Sequence, residues 1–209
     1  GEAQENVGYL TLSPDDDRVA FSVGYIQELE ISLSDVFVLD LVHETKLRLT
    51  YDPANDWPTS WDPSGTTVVF NSRRNGDIDI FYRASDGSGT AHPLVFGTGN
   101  DYGATWSGDG RHLVYGRSSG ALGTVREADI WNLSQGSENT PTPFITSPHL
   151  DIDPRISPDG RYVAYYSDET GRSEIFVSDF PDAKSKWQVS FSGGEDPRWN
   201  GKGNELFYL

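Results

Sequence analysis

Residues 116–120 read Gly-Arg-Ser-Ser-Gly, the pattern that surrounds the nucleophilic serine of many hydrolases. In those enzymes the serine lies on a sharp turn between a buried strand and a helix, which exposes its hydroxyl. The segment here follows a short apolar strand and leads into residues with no helical periodicity. We therefore interpret the pattern around Ser118 as accidental, and we predict no catalytic residue in this chain.

Four acids stand at the starts of short apolar segments along the chain. They are Asp56, Asp101, Asp151 and Asp196, and each of the first three precedes a predicted strand end by five residues. If these strands surround one channel, the carboxylates converge and repel one another unless a cation or basic group lies between them. They are therefore candidate ligands at a channel mouth, either for calcium or for a Lys or Arg side chain of a partner. The alternative is that each acid caps its own local turn.

A second group of acids begins four apolar segments of similar sequence. These residues are Asp35, Asp79, Asp129 and Glu174. An acid that recurs in this way is more often architectural than catalytic, because a side-chain acceptor at the start of a strand can bond turn amides. We predict a structural role for this group.

Other metal and cofactor chemistry has little support in the sequence. The chain has no cysteine, and its four histidines lie far apart without a second ligand at zinc-site spacing. The acidic run 15–17 is not followed by the pattern of an EF-hand, which ends in a glutamate at its twelfth position. We predict local roles for these residues and no cofactor other than the calcium considered above.

The charge of the chain restricts the classes of partner. With 32 acidic and 16 basic residues the formal charge is -16. A chain of this charge is repelled by phosphate backbones and anionic headgroups, so nucleic acids and membrane surfaces are disfavoured. No segment approaches the roughly 18 apolar residues that a membrane-spanning helix needs. Aromatic residues make up 12% of the chain and supply a core, so we expect a folded, soluble protein.

The elements that hold these side chains are predicted to be strands. Apolar runs of four to six residues alternate with clusters drawn from 22 glycines and 12 prolines, a pattern typical of all-β proteins. The nearest approach to helical spacing, residues 26–38, is interrupted by repeated serines and ends in a strand-like sequence. We predict that this segment is a loop leading into a strand.

An internal repeat indicates how the strands are organised. A turn of the Ser-Pro-Asp-Gly type followed by an apolar strand occurs five times, at intervals of 49, 45, 50 and 43 residues. Proline and glycine in these positions favour a tight hairpin, and the period is typical of four-stranded propeller blades. The predicted blades are 9–50, 56–96, 101–146 and 151–191, with a partial blade at 196–209.

The fourth copy has the most specific sequence, in Ser157–Tyr165 and Asp168–Val177, and Asp196–Trp199 follows it at the start of the partial blade. These segments resemble the TolB-like, WD40-like propeller repeat, and the chain is similar to propeller regions attached to bacterial serine/threonine kinases. The resemblance implies a six-bladed propeller on the extracytoplasmic, periplasmic side of a bacterial cell. The third turn departs from the repeat, because Gly108 replaces the usual proline.

These features favour a single propeller domain or fragment that acts as a non-catalytic binding, interaction or sensing module. Its partner is expected to be a protein or peptide, because the function of a rigid β scaffold resides in its loops. The alternative is the non-catalytic propeller portion of a larger enzyme, such as a propeller-gated serine peptidase or a receptor-type protein kinase. Unpaired strand edges near 9–12 and 205–209 also predict association between copies of the chain.

Overall fold

The structure is a computed structural model that describes residues 4–26, 33–119, 127–136 and 140–209. In these ranges the regular secondary structure consists of β-strands, which confirms the predicted all-β class. The chain divides into two compact units, residues 1–97 and 98–209. Within the described part, no helix has the length and apolar character needed to cross a membrane.

The first unit contains two four-stranded antiparallel sheets with their strands in chain order. Sheet 1 consists of β1 (Gln4–Leu12), β2 (Arg18–Ile26), β3 (Ser34–Asp40) and β4 (Thr45–Arg48). Sheet 2 consists of β5 (Asp56–Trp61), β6 (Thr67–Asn75), β7 (Asp77–Ala84) and β8 (His92–Val95). Each hairpin therefore connects neighbouring strands, as expected for propeller blades.

The second unit repeats this arrangement and adds a short hairpin. Sheet 3 consists of β9 (Asn100–Trp106), β10 (His112–Ser118), β11 (Asp129–Ser134) and β12 (Pro141–Ile145). Sheet 4 consists of β13 (Asp151–Ile156), β14 (Tyr162–Ser167), β15 (Glu174–Asp179) and β16 (Lys186–Gln188). The last two strands, β17 (Arg198–Trp199) and β18 (Leu206–Phe207), form the expected partial sheet.

Strand β1 begins earlier than the sequence predicts. Its pairing with β2 continues from Leu12 back to Gln4, which lies opposite Ile26, whereas the prediction began at Tyr9. The residues before Tyr9 are mostly polar and lack apolar alternation, so the pattern gave no strand signal there. A bulge between Gly8 and Leu10 also interrupts the register, which further obscures the alternation.

The hairpin turns between the first two strands of each sheet have one common structure. In the fourth turn the amide of Gly160 donates to the carbonyl of Ser157 at 2.8 Å. The Ser157 hydroxyl donates to Asp159 at 2.6 Å and accepts from the amide of Tyr162 at 3.0 Å. The positive φ of Gly160, 71°, suits a residue without a side chain. These bonds explain why the turn sequence recurs.

The apolar cores lie between neighbouring sheets within each unit. In the first unit one cluster joins sheets 1 and 2: Ala20, Val36, Val38, Leu49, Trp61, Val68, Phe70 and Phe81. In the second unit another joins sheets 3 and 4: Val114, Ile130, Ile156, Val163, Tyr165, Phe176 and Phe180. The second strands contribute most of the fully buried side chains, which confirms that both faces of these strands are covered.

Tryptophan side chains connect the first strands of successive sheets, which we call the innermost strands. The indole Nε1 of Trp61 donates to the carbonyl of Thr11 at 3.1 Å. In the second unit, Trp199 Nε1 donates to the carbonyl of Arg155 at 2.9 Å. In both cases the acceptor is the last but one residue of the innermost strand in the previous sheet. The repeated tryptophan therefore positions the end of one innermost strand against the end of the preceding innermost strand.

Candidate functional site

Three of the four candidate ligands occupy one structural position, and we refer to Asp56, Asp101 and Asp151 as the strand-start acids. Asp56 and Asp151 are the first residues of β5 and β13, and Asp101 is the second residue of β9. Their exposed fractions are 0%, 2% and 1%. Carboxylates at this depth need internal partners, because burial of an unpaired charge is strongly unfavourable.

The backbone of two strand-start acids is bound to the preceding sheet. The hydroxyl of Ser34 donates to the carbonyl of Asp56 at 3.1 Å. The amide of Asp151 donates to the carbonyl of Ala128 at 2.9 Å. Ser34 and Ala128 each lie immediately before an acid of the third strand. The start of the innermost strand in one sheet is thus fixed against the start of the third strand in the previous sheet.

Asp101 forms the most complete ion pair of the three. Arg117 Nε donates to Asp101 Oδ1 at 2.6 Å, and Arg117 Nη2 donates to Oδ2 at 2.9 Å. The guanidinium also lies over the ring of Trp131, 4.8 Å from its centroid. A bidentate pair of this kind is strong and geometrically specific. Both oxygens of Asp101 are therefore engaged by the same sheet.

Asp56 is also paired with an arginine, but through one contact. Arg74 Nη2 donates to Asp56 Oδ2 at 3.0 Å, while Arg74 Nε donates to the hydroxyl of Ser72 at 2.7 Å. Burial raises the pKa of Asp56, and hydrogen bonding from Ser72 and the charge of Arg74 oppose that rise. The arginine lies over the ring of Phe81, 4.4 Å from its centroid, which holds it near the carboxylate.

Asp151 has hydroxyl partners instead of an arginine. The hydroxyl of Ser147 donates to Asp151 Oδ2 at 2.6 Å, and the amide of Ser147 donates to Asp129 Oδ1 at 3.2 Å. Burial raises the pKa of Asp151, and hydrogen bonds from Ser147 and Ser167 act in the opposite direction. Ser147 therefore joins Asp129, the acid of the third strand in sheet 3, to Asp151, the strand-start acid of sheet 4.

Asp196 does not share the position of the other three. It has a left-handed backbone with φ of 52° and corresponds to Asp153, whose φ is 54°, since each lies three residues before an innermost strand end. Arg198 lies 3.6 Å from Asp196 and 3.3 Å from Asp153. Burial and the neighbouring Asp153 charge raise the pKa of Asp196. Asp196 therefore occupies a left-handed backbone position beside Arg198, outside the strand that follows it.

The strand registers relate the two groups of acids that the sequence identified separately. Residues directly opposite one another on neighbouring strands project to the same face of a sheet. Three such rows occur: Asp56, Ser72 and Asp79; Asp101, Arg117 and Asp129; Asp151, Ser167 and Glu174. Each row has an acid on either side of one central residue. The corresponding row of sheet 1 has Val7 opposite Val23, so it lacks a strand-start acid.

The acids of the third strands bind loop amides and basic groups of their own sheet. Glu174 accepts a hydrogen bond from the amide of Gly193 at 3.1 Å and pairs with Arg172 at 2.6 Å. Hydrogen bonding by Ser190 lowers the pKa of Glu174. Asp35 pairs with Arg48 at 2.6 Å. These contacts agree with the structural role that the sequence predicts.

The serine of the Gly-Arg-Ser-Ser-Gly segment lies in a strand. Ser118 is the last residue of β10, is 3% exposed and pairs with Asn100 of β9. The motif's second residue, Arg117, is the partner of Asp101. A nucleophile elbow requires an exposed serine between a strand and a helix. The described part of this segment has neither feature.

Sequence reasoning did not identify the partners of the strand-start acids. Arg117 could have been found from the repeat, because it occupies the same alignment position as Ser72 and Ser167. Arg74 lies two residues further along and reaches back to Asp56, so no constant spacing reveals it. In the described ranges, no three His, Cys, Asp or Glu side chains are grouped to hold a metal ion. Cation binding and a local structural role stay the two alternatives for the strand-start acids.

Comparison with known proteins places the chain in a family. Residues 3–142 match the family described as PD40, the TolB beta propeller domain. The Tol-Pal system protein TolB of Wolinella succinogenes is 29% identical over 147 residues, which are 69% of this chain and 34% of that protein. The chain thus spans about a third of the length of this curated relative.

Solved structures show the same fold at low sequence identity. The putative TolB of Agrobacterium tumefaciens is 22% identical, with a TM-score of 0.78 over all of this chain and 76% of that chain. The tricorn protease is 18% identical, with a TM-score of 0.73 over all of this chain and 21% of that chain. The repeated turns, the ordered four-stranded sheets and the family match together show that this chain belongs to the TolB β-propeller domain family.

Proposed function

We propose that this chain is a non-catalytic binding module that recognises a protein partner through the loops after its outer strands. One observation supports this proposal most directly. An aromatic side chain follows the outer strand in three of the four sheets: Tyr51 is 63% exposed, Phe96 is 65% exposed and Phe191 is 69% exposed. Aromatic side chains are enriched in protein interfaces and dominate their binding energy.

The best-defined of these side chains is held in place by its neighbours. The hydroxyl of Tyr51 donates to the carbonyl of Arg48 at 3.1 Å. The guanidinium of Arg48 lies 4.6 Å from the centre of the Tyr51 ring and also pairs with Asp35. A ring fixed in this way loses little conformational entropy when a partner covers it.

The polar groups support binding more than catalysis. Ser118 is buried, and the carboxylates of Asp56 and Asp101 are paired with arginines of their own sheets. A general acid or nucleophile needs access to substrate, which these groups lack. The Wolinella relative is named as a component of the Tol-Pal system, a name that is consistent with a role in protein assembly.

The proposal can be tested by capture from an extract of the source organism. A variant carrying Tyr51→Ser, Phe96→Ser and Phe191→Ser should lose at least nine-tenths of a protein that the unaltered chain retains, because removed aromatic anchors cost about tenfold or more in affinity. Val42→Ser is the matched control, since Val42 is 63% exposed but lies in the β3–β4 turn. Equal retention by the triple variant, or loss in the control, would contradict the proposal.

A second candidate function is the propeller portion of a larger enzyme. The supporting observation is that this fold matches 21% of the tricorn protease chain. The complete reading frame distinguishes the two candidates, because a catalytic domain on the same polypeptide would favour the second. Association between copies through residues 9–12 or 205–209 also stays a prediction, and Leu10 and Leu209 are 72% and 88% exposed.

A further inference from the structure

A cavity of about 390 Å³ lies between the third and fourth hairpin turns, inside the second unit. Its walls include Gly108 and Asp109 of the third turn, Asp159 and Gly160 of the fourth, and the ring of Phe180. His112 completes one side. The volume is in the range of pockets that hold small ligands or single side chains.

The cavity occurs where the repeat lacks a proline. In two turn pairs the proline of one turn packs on the glycine of the next: Pro14 Cδ lies 3.6 Å from the Cβ position of Gly65, and Pro158 Cδ lies 3.2 Å from that of Gly203. Gly108 replaces this proline in the third turn, and apart from Gly160 itself and the residues adjoining it no atom of the described residues lies within 4 Å of the Cβ position of Gly160. The cavity therefore occupies space that a proline ring fills in these two turn pairs.

One wall of the cavity is aromatic. Phe180 is 9% exposed, and its ring meets that of His112 edge to face, with centroids 5.0 Å apart. Phe144 packs on Phe180 at 5.2 Å and supports it. The proline rings of Pro158 and Pro181 extend this surface. A ligand with an apolar or planar part could therefore pack here.

Two carboxylates supply negative charge beside this wall. Ser107 donates to Asp109 at 2.6 Å, and Ser157 donates to Asp159 at 2.6 Å. These hydrogen bonds lower the pKa of Asp109 and lower that of Asp159 to about 2, so both groups are ionised at neutral pH. The charge of -16 on the whole chain attracts cationic ligands further.

The existing partners of these carboxylates can be displaced easily. Arg111 Nε lies 3.7 Å from Asp109 Oδ2, and the Arg111 side chain is 78% exposed. Arg161 Nε lies 2.7 Å from Asp159, and the Arg161 side chain is 72% exposed. Exposed ion pairs between mobile side chains contribute little stability. A cation held by the cavity walls can therefore compete with them.

We propose that this cavity binds an arginine side chain presented by a partner protein. The guanidinium is planar, so it can stack on one of the two perpendicular rings, Phe180 or His112, while donating to Asp109 and Asp159. A lysine ammonium would pair with the carboxylates, but it is not planar and cannot stack on the aromatic wall. The source of the arginine, a partner protein, rests on the binding role proposed above. The ability of the cavity to bind an arginine side chain does not depend on that role.

The experiment uses the full chain and N-acetyl-arginine methylamide as the probe, followed by amide chemical shifts in NMR spectra. We expect saturable shifts at residues 107–112 and 157–160. The same probe with citrulline in place of arginine has nearly the same shape without the charge, and it should bind at least tenfold more weakly. Equal binding of the two probes would overturn the proposal.

Gly108→Pro is the decisive variant, because it introduces the residue that the first, second and fourth turns have at this position. It should remove the saturable shifts because the ring occupies the cavity, and proline suits this position of the turn. The Cβ position of Gly108 lies 3.3 Å from the carbonyl oxygen of Pro158, so that neighbour must shift slightly, and we expect the variant to fold with a small change in unfolding temperature. Asp109→Asn should weaken binding about tenfold, which tests the cavity even if the proline variant unfolds. Absence of saturation in the unaltered chain, or unchanged binding in both variants, would overturn the proposal. Arginine binding without retention of any partner in the capture experiment would contradict only the proposed function.

Discussion

Replacing Asp101 by asparagine is expected to lower the free energy of unfolding by about 3 kcal/mol, because one partner of a buried ion pair is removed. Asp101 is 2% exposed and receives two hydrogen bonds from Arg117, at 2.6 and 2.9 Å. Asparagine keeps the shape but removes the charge with which the guanidinium forms its two hydrogen bonds. The side chain of Arg117 is 24% exposed, so partial hydration limits the loss to the lower end of the usual range.

Asp151→Asn is the matched control for this prediction. Asp151 occupies the same position in the next sheet and is 1% exposed, but its hydrogen-bond partners are the hydroxyls of Ser147 and Ser167. An asparagine can still accept a hydrogen bond from Ser147, and the unfavourable burial of a charge is removed. We expect a change within about 1 kcal/mol. Urea denaturation of both variants measures the difference, and equal losses would contradict the assigned role of Arg117.

Phe70→Ala is expected to lower the free energy of unfolding by about 3–5 kcal/mol, the usual cost of removing a buried phenyl ring. Phe70 is 0% exposed in β6 and lies in the cluster that joins sheets 1 and 2. Its ring also stacks on Phe81, with centroids 6.0 Å apart. The substitution therefore leaves a cavity at the centre of the first unit.

Phe96→Ala removes the same ring from an exposed position. Phe96 is 65% exposed, so its replacement should change the free energy of unfolding by no more than about 0.5 kcal/mol. Thermal and urea unfolding of the two variants measure the comparison. A small effect at Phe70, or a large one at Phe96, would show that the cores between sheets are wrongly assigned.

The sheets could be predicted from the sequence because five copies of the repeat specify the same turn and the same following strand. The turn around Gly160, for example, has its hydrogen bonds specified by Ser157 and Asp159 within four residues of sequence. The constant offset of the strand-start acids also predicted that Asp56, Asp101 and Asp151 occupy one structural position. Local signals of this kind do not depend on the rest of the fold.

The partners of these acids could not be predicted in the same way. Arg117 lies in a segment whose pattern suggested only an accidental hydrolase motif, and its pairing with Asp101 depends on the strand register. Asp196 was grouped with the strand-start acids because it stands beside the expected position, but its left-handed backbone matches that of Asp153 instead. Gly108 was visible as a departure from the repeat, but the resulting cavity depends on packing between two turns.

The structural role of the strand-start acids is tested most directly by titrating calcium into the chain in a calorimeter. Because their carboxylates are buried and engaged by Arg74, Arg117 and Ser147, we predict no saturable heat. The unfolding temperature should likewise be the same in calcium and in a chelator. Saturable heat that Asp151→Asn abolishes, while that variant remains folded, would contradict this role and assign these acids to a cation site.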